Sequence, residues 1–243
     1  MGLSYVLLQE PINLGDDEFM CGARVGDASP ASAQKESVVA ILELASHREG
    51  DVHNLLANIS ETRASIMSLA KEALADGRSQ SIALSIDNDG LLQQLLSPRT
   101  QIDASFEERL KCLIDLFTSM RREFPEITLG VALCAEELCP GGLDPLMGCN
   151  AALAFEAAGA DFLIASGGTQ DLPALKWRKP TRQKQHNDGE SATYLSAEMF
   201  LQSGLWLIDK LKIPIWAQGT VSDMNAAKSL AKRLGYRGIV DTQ

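Results

Sequence analysis

The stretch Ser81–Leu110, SIALSIDNDGLLQQLLSPRTQIDASFEERL, decides how the chain folds. Ser81–Ile86 is an apolar run of strand length. Further on, Ser105 and Glu108 have the spacing of a helix-capping box, and Phe106, Leu110, Leu113, Ile114, Phe117 and Met120 then line one helical face. A strand followed by an amphipathic helix is half of a βα unit.

The alternation continues downstream, as a parallel sheet requires. Strands are expected at Thr128–Leu133, Asp161–Ala165, Ile213–Ala217 and Gly238–Val240. Asp144 and Pro145 open a helix that Gly159 closes. Ser196 caps another, whose Met199, Phe200, Leu207, Ile208 and Leu211 face the sheet. Ser222 starts a fourth and Gly235 ends it.

Upstream the pattern is looser. Phe19–Val25 reads as a strand, and Ser60 caps a helix over Glu61–Asp76 that Gly77 ends. Val38–Ala45 fits a strand, while its periodicity also permits an amphipathic helix. Between Gly26 and Ser37 there is little room for a complete βα unit. The expectation is a single domain over residues 1–243, remodelled over 1–80 and with clear βα units over 81–243.

Composition narrows the functional classes. A chain of 243 residues with 45% hydrophobic content has enough apolar material for one α/β barrel. The net charge of −10 repels a phosphate backbone, which argues against a nucleic-acid partner. No apolar run reaches the roughly 18 residues of a membrane span, and the first residues lack a signal-peptide pattern, so the expected location is cytoplasmic. The five cysteines, Cys21, Cys112, Cys134, Cys139 and Cys149, have no CxxC spacing and read as free thiols rather than disulfides or a metal site. His47, His53 and His186 form no spaced ligand set.

Ser81–Leu110 also resembles the fourth strand and following loop of the Old Yellow Enzyme family, the FMN-dependent NAD(P)H:flavin oxidoreductases and ene-reductases. That family reads H-x-x-[HN]-G-Y-L-L-x-Q-F-L-S-P there, then G-S-x-E-N-R. Leu91, Leu92, Gln94, Leu96, Ser97, Pro98, Ser105, Glu107 and Arg109 match it. CAEELCPGGLD (Cys134–Asp144), AGADFLIASGG (Ala158–Gly168) and IPIWAQG (Ile213–Gly219) resemble the family's loop after strand five and its strands six and seven, in family order. LLQEPINLG (Leu7–Gly15) resembles its opening segment and Val38–Ala45 its third strand.

The resemblance implies a TIM (β/α)8-type barrel, shortened or incomplete near strand two and without a helix after strand eight. The strand-two region is then either missing or locally rebuilt. The exposed edges would be covered by another element or another chain.

Across the implied flavin site the reactive side chains are replaced. The family's strand-four pair falls on Ser85 and Asn88, and its proton-donating Tyr on Gly90. The strand-three Gln becomes Glu43, a carboxylate with no proton to give the ring. The strand-five Arg facing the reduced ring becomes Ala132. The phosphate turn after strand seven reads Gly219-Thr220, and the Gly-Arg after strand eight reads Thr242-Gln243. A charge-assisted hydrogen bond contributes about 1.5–3 kcal/mol. Two lost arginines would therefore weaken FMN by about 10²–10⁴-fold.

The resemblance thus implies an Old Yellow Enzyme-like barrel that has lost hydride transfer, holds no cofactor and serves as a binding subunit. It would work in a homo- or hetero-oligomer, with a catalytically competent homologue as one candidate partner. The alternative is a divergent FMN oxidoreductase reducing an activated alkene, with Ser85 and Asn88 at the substrate and water as proton source. A third option is a phosphorylated metabolite at the turns after strands seven and eight. The basic loop Leu175–His186 carries Trp177, Arg178, Lys179 and Arg182 and reads either as a substrate or partner surface or as an ordinary solvated loop.

Overall fold

A computed structural model of the protein describes residues 3–8, 20–24, 38–44, 59–75, 79–87, 90–168, 201–219 and 224–241. Its elements are β1 (Leu3–Leu8), β2 (Met20–Arg24), β3 (Val38–Leu44), α1 (Ile59–Ala75), β4 (Ser79–Ile86), α2 (Leu91–Leu96), α3 (Phe106–Glu123), β5 (Thr128–Glu136), α4 (Pro145–Ala157), β6 (Phe162–Gly167), α5 (Leu205–Ile208), β7 (Ile215–Gly219), α6 (Met224–Leu234) and β8 (Gly238–Asp241). Strands β3 to β8 run parallel in sequence order. β2 joins β8, also in parallel, through Met20 opposite Val240 and Cys21 opposite Asp241. β1 lies between β2 and β3, antiparallel to both, and closes the ring.

Phe19–Val25, expected as a strand, contains β2, whose parallel pairing with β8 gives it the place of a barrel's first strand although β1 precedes it in the chain. Leu7 and Leu8, expected in a segment leading into strand one, belong to β1 and pair with Ala23 and Gly22. Of the two options for Val38–Ala45, the strand holds: Val39 to Leu42 pair with Ser81 to Leu84 of β4.

Side-chain alternation along the strands makes two cores, as a period of two demands. Ile82, Leu84 and Ile86 of β4, Leu129, Val131 and Leu133 of β5, and Leu163 and Ala165 of β6 pack outward under the helices. Val39, Ile41, Ala83, Ala132, Phe162, Ile164, Trp216 and Val240 form a separate cluster inside the ring. Gly130 lies opposite Phe162 in the ladder, and the Phe162 ring fills the space a side chain there would need. That ring meets Trp216 edge to face at 5.8 Å, so the lower interior is a packed plug.

Two helices follow their predicted caps, whereas α1 begins at Ile59 and so holds Ser60 inside its first turn instead of at the N-cap. The Ser105 hydroxyl accepts from Glu108 N at 3.2 Å and the Glu108 carboxylate from Ser105 N at 2.8 Å, completing the capping box of α3. Asp144 caps α4 by accepting from Met147 N at 2.8 Å, with Pro145 in the first turn. Gly235, at φ +96°, ends the run after α6, where a left-handed residue is needed. Ser196, Met199, Phe200 and Ser222 lie outside the described residues, while Leu207 and Leu211 are buried as expected. No described helix is long and apolar enough to cross a membrane.

Candidate functional site

Above the apolar plug the inward positions turn polar. Counting in twos from Ala83 places Ser85 and then Asp87 on the interior side of β4. The same count gives Cys134 on β5, Ser166 on β6 and Gln218 on β7. All lie at the carboxyl ends of their strands, the end at which α/β barrels build their sites.

Asp87 is the centre of this layer. It is 1% exposed, and neutral groups donate to both of its oxygens. Ser166 Oγ donates to Oδ1 at 2.5 Å and Gln218 Nε2 to Oδ2 at 2.7 Å. Strands β4, β6 and β7 are thereby tied together across the interior. Since Gln218 uses its amide nitrogen on Asp87, its Oε1 is left as an acceptor. That oxygen and Ser85 Oγ are buried with no hydrogen-bond partner. Cys134 Sγ donates toward the carbonyls of Glu136 and Gly168, each at 3.4 Å.

A second buried carboxylate, Glu137, belongs to the frame. It accepts from Ser97 Oγ at 2.8 Å and Leu143 N at 2.8 Å, and from Gln93 Nε2 at 3.4 Å. These bonds fasten the turn over residues 137–143 to α2. Beside it, the half-buried Glu136 carboxyl is pushed above the usual range by burial and by the Asp144 charge.

Of the residues singled out in the sequence, Ser85 and Ala132 are brought together as ladder partners on β4 and β5. Gly90 is buried as the N-cap of α2, and its N–H donates to the Asp87 carbonyl at 3.0 Å. Glu43 lies in β3 opposite Ser4, and Gly219 ends β7 opposite Asp241. Asn88, Thr220, Thr242, Gln243, Trp177, Arg178, Lys179 and Arg182 lie outside the described residues. Asp87, Ser166 and Gln218 were not anticipated. Their signal was present, as polar residues two positions apart from apolar interior ones at the ends of three strands. Among the described residues no group of three His, Cys, Asp or Glu could hold a metal ion.

At the mouth Ala132 presents a methyl group beside Ser85, and Asp87 a buried carboxylate. Two described arginines, Arg109 and Arg121, serve the frame. Arg109 donates to the carbonyls of Ser97, Thr100, Ile102 and Ala104. Arg121 holds Asp161 and the carbonyls of Ile127 and Gly159, at the opposite end of the barrel.

No protein-family model matches the chain, and no curated protein matches it by sequence. Solved structures do match. A 2-naphthoyl-CoA reductase in complex with 2-naphthoyl-CoA aligns with a TM-score of 0.53 at 18% identity, covering 74% of this chain and 27% of that one. The 6-hydroxypseudooxynicotine amine oxidase of Pseudomonas geniculata N1 aligns at 0.55 and 15% identity, covering 81% and 27%. The old yellow enzyme of Trypanosoma cruzi also matches, at 0.49 and 10% identity over 80% of this chain and 46% of that one. The chain thus spans about a quarter of the length of the first two. The likeness is one of fold: the closed ring of this chain aligns with part of the reductase and of the amine oxidase, and an old yellow enzyme is among the structures it matches.

Proposed function

We propose that this protein is a distant, shortened Old Yellow Enzyme-like barrel that has lost FMN-dependent hydride transfer and acts as a binding subunit. The observation that carries this reading is Ala132, the ladder partner of Ser85 at the barrel mouth, whose methyl group supplies neither charge nor donor to a ring that becomes anionic on reduction.

On the same reading β1 stands in for the family's second strand, which accounts for the missing βα unit between Gly26 and Ser37. The protein is cytoplasmic and works as a homo- or hetero-oligomer. Support for a partner comes from the outer surface: Leu146 is 70% exposed, and Leu153, seven residues on, shares its face of α4. Trp206 on α5 is a further exposed apolar residue.

A visible absorption spectrum of the purified protein, followed by titration with FMN, tests the loss of cofactor. A colourless protein without tight FMN binding is expected. A yellow protein whose absorbance is bleached by NAD(P)H under anaerobic conditions would overturn this and favour the divergent oxidoreductase. Light scattering on the same sample is expected to give a mass above that of one chain.

A further inference from the structure

We infer that the barrel interior seats one neutral hydroxyl group, that of a water or of a small alcohol, between Trp216, Gln218 and Ser85. The site does not depend on whether FMN binds at the mouth.

Ser85, Ala132, Ile164 and Trp216 are successive ladder partners across β4, β5, β6 and β7. Ala132, Ile164 and Trp216 belong to the inner cluster, and alternation from Ala83 puts Ser85 on the same side. Gln218 follows Trp216 by two positions on β7 and so faces inward as well. The hydrogen bond from its amide to Asp87 lies above this row, and the Phe162 ring packs against Trp216 below it. Between them three side-chain atoms have no hydrogen-bond partner: Trp216 Nε1, Gln218 Oε1 and Ser85 Oγ. Their residues are 1%, 4% and 2% exposed, so bulk water does not serve them. A further such atom, Ser203 Oγ, lies against Gly167 and outside this row.

The needs of the three atoms define the occupant. An indole N–H only donates, and Gln218 Oε1, on an amide whose nitrogen bonds to Asp87, only accepts. The Ser85 hydroxyl does either. An ammonium only donates and leaves the indole unmet. A chloride or a carboxylate only accepts and leaves Gln218 Oε1 unmet. A metal cation cannot accept from the indole. A hydroxyl is the smallest group that does both. Its oxygen accepts from the Trp216 indole N–H and from the Ser85 hydroxyl, and its proton goes to Gln218 Oε1. Each buried group left unmade costs its full desolvation, and one bound oxygen removes all three penalties. Three bonds is also about what a buried water makes. The carbon end of an alcohol would meet the side chains of Ala132 and Ile164.

Nuclear magnetic resonance of the isotope-labelled full chain tests this at the Trp216 indole. The tryptophans are Trp177, Trp206 and Trp216. The signal is assigned by its loss in Trp216→Phe or, if that variant does not fold, by elimination with Trp177→Phe and Trp206→Phe. A slowly exchanging indole proton with a cross-relaxation peak to a bound hydroxyl is expected. Titration with ethanol tells the two sources apart. A saturable shift of the indole signal identifies an alcohol site, and a peak at the water frequency that ethanol leaves unchanged identifies a resident water. Methylammonium and acetate at the same concentration are expected to shift nothing.

Ser85→Ala removes one of the three partners and is expected to speed exchange of the Trp216 indole proton by about tenfold. Absence of both the peak and the ethanol shift, an equal response to methylammonium or acetate, or an exchange rate unchanged in Ser85→Ala each overturns the hydroxyl site.

Discussion

Gln218 donates its side-chain amide to Asp87 at 2.7 Å, joining residues 131 positions apart across the inside of the barrel. The bond ties the end of β4 to β7 from within, where the sheet ladder connects them through β5 and β6 on one side and through β3, β1, β2 and β8 on the other. It is also charge-assisted. Gln218→Leu removes a donor from a buried carboxylate and is expected to destabilise the fold by about 1.5–3 kcal/mol. Ser85→Ala, which deletes a hydroxyl that bonds to nothing, should change stability by less than about 1 kcal/mol in the absence of ligand. Urea unfolding of the two variants checks the contrast. Equal effects would mean that the interior polar layer is not held by Asp87.

Arg109 is 7% exposed although it carries a full charge. Its guanidinium donates to four backbone carbonyls of the segment 97–104, at 2.8 to 3.1 Å. The fork reaches several carbonyls at once, which a lysine ammonium at the end of a flexible stem does not reproduce. Arg109→Lys should therefore cost about 1–3 kcal/mol and not behave as a conservative change. Hydrogen exchange localises the effect: amides over 97–104 should exchange faster in the variant, while those of β5 remain protected.

The Glu108 carboxyl is held below its ordinary range by the Ser105 backbone N–H and, second, by the Ser105 hydroxyl. A depressed folded-state pKa means that the carboxylate form is the stabilising one. The contribution is fully present above the ordinary value of 4.5 and is lost as pH falls through the lowered folded value. Glu108→Gln should accordingly be less stable than the parent at neutral pH. The gap should close as the solution is acidified below that range. Parallel thermal unfolding curves of the two proteins from pH 7 to pH 3 read this directly, and a gap independent of pH would contradict it.

Much of the fold could be read from the chain because its strands and helices announce themselves locally. The strand expected at Ser81–Ile86 appears as Ser79–Ile86, and the helix capped by Ser105 appears with its Glu108 partner. β1 could not be read in the same way. LSYVLL is a short apolar run, and only its pairing with both β2 and β3 makes it a strand of the ring. At the mouth, comparison with a family motif directed attention to Ser85, Asn88 and Gly90 and away from Asp87 between them. Alternation alone puts Asp87 on the same side as Ser85. That its oxygens meet Ser166 and Gln218 depends on ladder register between strands that are far apart in sequence, and no local pattern encodes that.

Gly148 offers a test in which two rules predict opposite signs. It lies in the first turns of α4, inside a regular helix, with its N–H bonded to the Asp144 carbonyl at 2.9 Å. Helix propensity alone says that Gly148→Ala should stabilise by about 1 kcal/mol. Packing says otherwise, because a Cβ at this position would overlap the carbonyl oxygen of Ala135 in β5. That obstacle is backbone in a buried strand and has no rotamer to change, so α4 must move away from the sheet. Overpacking of this kind costs about 1–3 kcal/mol or more. We expect the steric effect to win, leaving the alanine variant less stable than the parent in urea unfolding, with its loss relieved by no change of pH. A stabilised variant would show instead that α4 can slide on β5, and that the close approach of Gly148 to Ala135 is not needed to hold the loop over residues 137–143 above the barrel.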